Sequence, residues 1–174
     1  MRSRILFFVL AVALLLGVPR ASLAEGNHTC AVTKAPVPPF TPPRRWGTEG
    51  SRDGEYFFFG SPGLWALVHN YWRLHLDGTK LPYFSEHYEW KNEPDPRMVV
   101  VARRLDAPAG LVWADWVNGA GPSHRYSEPV DPTKPGFMVT SLQIPTAGCW
   151  EITARYTPVR GKVEILSYTV LVVP

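Results

Sequence analysis

Apolar and polar residues follow three different patterns along this chain. Residues 5–18, ILFFVLAVALLLGV, are one unbroken apolar run. Residues 25–54 have no period, and five prolines fall within Pro36–Pro43. From Glu55 onward, short apolar or alternating stretches are separated by turn residues: EYFFF, LWALVH, WRLHLDGTKLPYF, HYEWK, RMVVVARRL, LVWADW, FMVTSLQI, CWEITARYT and KVEILSYTVLVV. Alternation with period two reads as strand, and no stretch after the leader holds a helical period. The Asp77-Gly78 pair predicts a hairpin within WRLHLDGTKLPYF, and PVRG predicts a hairpin between the last two strands. RMVVVARRL is apolar on both faces at Met98–Ala102 and reads as a central, doubly covered strand. Seven to nine short strands with frequent turns predict an all-β sandwich or barrel.

The stretch IPTAGCWEITARY is the most informative. Neighbours in a strand point to opposite faces, so Trp150, Ile152, Ala154 and Tyr156 form the core face. Cys149, Glu151, Thr153 and Arg155 form the more polar one. Trp65 is also expected in the core. Arg104, at the end of the central strand, is expected to pair with Glu151 across strands.

The apolar run follows a basic start, MRSR, and precedes small residues at Ser22 and Ala24, the layout of a secretory signal peptide over residues 1–24. It is shorter than the roughly 20 residues of a spanning helix, which argues against the alternative of a membrane anchor. Cleavage after Ala24 removes Arg2, Arg4 and Arg20, so Lys+Arg falls from 18 to 15 and equals Asp+Glu at 15. A neutral chain gives no reason to expect nucleic acid as a partner, and no membrane span is expected after cleavage. About 150 residues suit one domain.

An exported chain with two cysteines is expected to join Cys30 to Cys149, for about 4–5 kcal/mol on chain-entropy grounds. The alternative is two free thiols, Cys149 serving as a small buried hydrophobe. Joined, the proline-rich residues 25–54 become a strap across a sandwich of residues 55–174. Polyproline geometry also suits docking in an aromatic groove, a mostly intracellular device.

GSPGLWALV, Trp90-Lys91, VVVARRLDAP and IPTAGCWEITARY together resemble a family of uncharacterised secreted bacterial proteins. Its members carry an N-terminal cysteine, a Gly-Leu-Trp strand, an Arg-Leu-Asp-Ala-Pro stretch and a final Gly-Cys-Trp-Glu-Val-Thr strand. Ile152 stands here where valine is commoner, and Trp90 alone where two tryptophans are frequent. The resemblance runs from about Cys30 to the C-terminus. It implies an exported immunoglobulin-like β-sandwich and supplies no catalytic residues.

Candidate chemistry is sparse. The five histidines show no metal spacing, and no metal or cofactor is expected. GSPG lacks the lysine and helix start of a phosphate loop, and no nucleophile elbow occurs. Glu86, Glu89 and Asp115 are carboxylates in aromatic surroundings, a weak hint of glycosidase chemistry. The aromatic surplus is the best lead. Trp72, Trp90, Trp113, Trp116, Tyr83 and Tyr88 exceed what one small core holds, and an exposed aromatic patch marks a contact site for carbohydrate or another envelope protein. The competing expectation is that they lie beneath the strap.

The sequence therefore points to an exported, non-catalytic binding or adhesion module of the bacterial envelope. A secreted hydrolase acting on glycans and a structural envelope protein are the alternatives. Mass spectrometry of the exported protein is expected to find Glu25 at the N-terminus. Met1 retained in a membrane fraction would overturn that assignment.

Overall fold

The computed structural model describes residues 29–43, 54–75, 78–120 and 135–174. The signal peptide expected at 1–24 lies outside these residues, as does part of the proline-rich stretch. The described residues form ten strands and no helix. One sheet contains β1 (Tyr56–Ser61), β2 (Leu64–His69), β4 (Thr79–Phe84), β8 (Phe137–Leu142) and β7 (Trp116–Ala120), in the order β1-β2-β4-β8-β7. The other contains β3 (Trp72–Arg73), β10 (Glu164–Val173), β9 (Gly148–Tyr156), β5 (Met98–Arg104) and β6 (Val112–Trp113), in the order β3-β10-β9-β5-β6. The two sheets pack face to face as an all-β sandwich.

The alternation in CWEITARY is realised as the register requires. Trp150, Ile152, Ala154 and Tyr156 are fully buried between the sheets. Strand β9 pairs antiparallel with β10 on one side and β5 on the other. Across the core, the Tyr83 hydroxyl on β4 meets the Tyr168 hydroxyl on β10 at 3.1 Å. Each buried hydroxyl thus has a polar partner, so neither ring is buried at the expense of an unmade hydrogen bond.

Cys30 and Cys149 are joined, with Cα atoms 5.5 Å apart. A disulfide of this kind belongs with an oxidising compartment. Cys149 points away from the core yet is only 3% exposed, because the N-terminal stretch lies over it. From Cys30 the chain reaches Thr33, which satisfies both backbone groups of Thr169. Its N–H donates to the Thr169 carbonyl at 2.9 Å, and its Oγ1 accepts from the Thr169 N–H at 2.8 Å. This occupies part of the β10 edge that β9 leaves open, where unpaired groups would invite association. Further on, the Phe40 ring lies 5.9 Å from Trp65.

The start of β9 is held from the side as well. Asp106 accepts from the Cys149 N–H at 3.0 Å and from Arg104 Nε at 2.7 Å. The Arg104 guanidinium, followed by the Cys149 amide, holds the Asp106 carboxyl below the usual carboxylate range. Gly148 has φ +140°, and a Cβ there would come within 2.8 Å of both Arg104 and Asp106. The glycine of the Gly-Cys-Trp stretch is therefore required by backbone angle and by space.

Several expectations are corrected. The Arg104–Glu151 pair does not form; Arg103 meets Glu151 at 2.8 Å. The register places Arg103 opposite Glu151 and Arg104 opposite Trp150, and directly opposed residues share a face. Asp77 lies outside the described residues, and the strands flanking it do not pair as a hairpin: β3 runs parallel to β10, while β4 pairs with β2 and β8 in the other sheet. A turn signal marks where the chain bends, not which layer the next strand joins. LVWADW divides likewise between β6 and β7, in different sheets. HYEWK forms turns, held by Ser85, whose Oγ accepts from the His87 N–H at 3.1 Å. Strand β5 lies inside its sheet, but its outer face is open and Val99 is 45% exposed. Trp65 is fully buried, as expected, and packs on the outer side of its sheet instead of in the cluster between the sheets. It alternates with Leu64 and Ala66, which fill that core, and its ring stacks on Phe84 at 5.8 Å.

Replacement Cys149→Ser is expected to lower stability by about 2–5 kcal/mol and to expose Trp65 to quencher, since the segment carrying Phe40 then loses its covalent anchor. Thermal melts with and without reductant, read by tryptophan fluorescence, check both effects. Unchanged melting and quenching would show that the strap needs no covalent anchor.

Candidate functional site: a polar cavity at one end of the sandwich

The six aromatic residues expected to form a contact patch do not share one exposed surface. Tyr83 and Tyr88 are core residues. Trp72 is buried on β3, where its indole N–H donates to the His69 carbonyl at 3.1 Å. Trp90 is partly buried, packs on the core, and has the Lys91 ammonium 5.8 Å from its ring centroid. Only Trp113 and Trp116 are open to solvent, at 58% and 38%. They belong to different sheets, Trp113 opposite Val101 and Trp116 opposite Ser141. A sandwich of two small sheets holds more aromatic volume than the sequence suggests, because ring edges pack against ring faces. Tyr88 against Tyr156, with centroids 6.3 Å apart, is one such pair.

A site of another kind lies between the turn segment after β4, residues 85–97, and the turn joining β9 to β10. The sequence SEHYEWKNEP places His87, Glu89, Asn92 and Glu93 within seven positions. Ser85 turns the chain, and Pro94 and Pro96 keep it from continuing as a strand. Backbone bonds from Asn92 and Glu93 to the Glu89 carbonyl, at 2.8 and 3.0 Å, tighten the segment into a compact turn. Two bonds tie it to the other wall. Arg97 donates through its guanidinium to the Pro158 carbonyl at 2.7 Å, and its own carbonyl accepts from the Thr157 N–H at 2.9 Å.

Between these walls is a cavity of about 390 Å³ lined by His87, Glu89, Asn92, Glu93, Val159 and Arg160. Glu93 is its inner group, only 6% exposed. Its Oε2 accepts from the Tyr156 hydroxyl at 2.7 Å, and its Oε1 accepts from the Arg97 N–H at 3.4 Å. Tyr156 thus joins the core face of β9 to the cavity. Nearer solvent, Glu89 accepts from the Asn92 amide at 2.8 Å, which fixes the orientation of both. Burial first, and then the bond to Glu93, push the Tyr156 phenol far above its ordinary range. Burial, with the charges of Glu93 and Asp95, raises Tyr88 to about 12.

The cavity presents two carboxylates, an amide, an imidazole and a guanidinium. Cavities beside His75 and Gln143, and beside Asn70 and Arg73, bring together fewer ionisable side chains. Among the described residues, no group of three His, Cys, Asp or Glu side chains is placed to hold a metal ion. Of the carboxylates singled out in the sequence, Glu89 lines the cavity, whereas Glu86 and Asp115 do not. Glu93, Asn92 and Arg160 were not singled out. For Asn92 and Glu93 the signal was the density of polar residues between Pro82 and Pro94; Arg160, in the PVRG turn, carried none.

Comparison with protein-family models, with curated proteins and with solved structures found no match for this chain. The site has to be read from its chemistry.

Tyr83, Tyr88, Tyr156 and Tyr168 all have folded-state values raised above the ordinary tyrosine value near 10. The neutral phenol is therefore favoured by folding. That stability is fully present below pH ~10 and is lost as pH rises towards and past the folded values. An absorbance titration is expected to withhold four phenolate signals until about pH 12 or until unfolding. Ionisation of every tyrosine near pH ~10 with the fold intact would contradict the burial of this cluster.

Proposed function

We propose that this protein is an exported, non-catalytic binding module of the bacterial cell envelope, built on an immunoglobulin-like sandwich, and that it takes a carbohydrate in the cavity above Glu93. One observation carries the reading: donors and acceptors of both signs converge on a space of about 390 Å³. Sugar hydroxyls donate and accept at once, so they suit a lining that mixes carboxylate, amide, imidazole and guanidinium. Export is supported by the signal-peptide layout of residues 1–24 and by the Cys30–Cys149 bond. The likeness of the Gly-Cys-Trp-Glu-Ile-Thr strand to secreted bacterial sandwiches supports the fold name. Glu93 favours binding over catalysis, because both of its oxygens already accept hydrogen bonds from the protein.

A second reading is glycoside hydrolysis, favoured by the presence of Glu89 and Glu93 in one cavity. One experiment addresses both. Exported protein is incubated with a panel of envelope glycans, and retention and hydrolysis are followed together. Retention without cleavage is expected, weakened about tenfold by Asn92→Ala, on the scale of one lost hydrogen bond to a charged or well-oriented group. Cleavage abolished by Glu89→Gln would establish the hydrolase instead. Retention unaffected by Asn92→Ala and by Arg160→Ala would place the ligand elsewhere.

A further inference from the structure

We propose that the cavity receives a primary ammonium group, and that the sugar it takes is an amino sugar with a free, unacylated nitrogen. This rests on the carbohydrate reading of the same cavity and specifies it. Glu93 is a carboxylate removed from solvent, and its two protein donors, the Tyr156 hydroxyl and the Arg97 N–H, are neutral. Among the described residues Glu93 forms no ion pair, unlike Glu151, which meets Arg103, and Asp106, which meets Arg104. A buried carboxylate held only by neutral donors is stabilised most by a cation that hydrogen-bonds to it.

The acceptors around it suit an ammonium. That group has three donors and no acceptor. The cavity is lined by Glu93, Glu89 and Asn92, which carry two carboxylates and an amide oxygen as acceptors. The Asn92 amide nitrogen is already committed to Glu89, so the acceptor is what this side chain has left to offer a ligand. The opposing charges are placed where they weigh less. Arg160 and His87 are exposed at the rim, where solvent and salt screen them. The Arg97 guanidinium is directed to the Pro158 carbonyl; its charge still reaches Tyr156, but it donates no hydrogen bond to Glu93. Acylation would remove both the charge and two donors from the nitrogen, and a hydroxyl supplies no charge, so either change forfeits the match.

Calorimetric titration of the exported full chain with glucosamine, glucose, N-acetylglucosamine and a linear aliphatic diamine tests this. Glucosamine is expected to bind about tenfold or more tightly than glucose or N-acetylglucosamine, the scale of a charged hydrogen bond. Glu93→Gln is expected to abolish that preference. Glu89→Gln, at an exposed position that leaves the fold intact, is expected to reduce it. Equal affinity for glucose and glucosamine, or a preference for the acylated sugar, overturns the ammonium assignment and leaves the carbohydrate reading standing. A diamine that binds as tightly as glucosamine retains the ammonium site but overturns the sugar. No binding by any of the four overturns both.

Discussion

Strand β9 has to satisfy two faces at once, and the rest of the molecule is arranged around that requirement. Its inward face, Trp150 to Tyr156, fills the middle of the core. Its outward face begins with a cysteine that must reach the far N-terminal end of the chain. Period-two alternation makes these demands compatible, because a cysteine one residue before a core tryptophan points out of the core. The disulfide can then fasten a segment over the sandwich without disturbing what lies between the sheets.

The clamp around Cys149 shows why the neighbouring residues have the identities they do. Asp106 binds the Cys149 amide and the Arg104 guanidinium, Arg104 reaches Thr146 at 3.1 Å, and the Thr146 carbonyl accepts from the Trp150 indole at 3.0 Å. Two stretches far apart in sequence, Arg-Leu-Asp and Thr-Ala-Gly-Cys-Trp, become one structural unit. On the opposite layer the strap supplies Phe40, which helps bury Trp65 against Phe84 on the outside of its sheet. That tryptophan is held by a satellite cluster of rings, not by the main core.

The cavity inherits its rigidity from the same strand. Tyr156, the last core residue of β9, ends in a hydroxyl that holds Glu93. The turn after Tyr156 supplies Val159 and Arg160, and Arg97 ties that turn to the opposite wall. Polar side chains on turns are thereby positioned by a packed strand, which is how a loop site acquires fixed geometry. On the outer face of the sheet containing β9, Val99 and Trp113 are exposed on either side of Val101, with the Arg103–Glu151 ion pair beyond them.

The sequence alone determined what depends on local period and chain chemistry. Alternation placed Trp150, Ile152, Ala154 and Tyr156 in the core, and PVRG marked the last hairpin. Two cysteines named each other because there were no others. Tertiary structure decided what depends on which strands become neighbours. It sent β3 and β4 to different sheets despite a turn signal between them, and it passed the ion pair from Arg104 to Arg103 through register. It also turned a row of aromatic residues into core and satellite packing, and gathered Glu93 and Arg160 from distant turns into one cavity. Period two says which residues share a face of one strand. Which face of another strand they meet is set by how both sheets bury their apolar sides together, and that is a property of the whole chain.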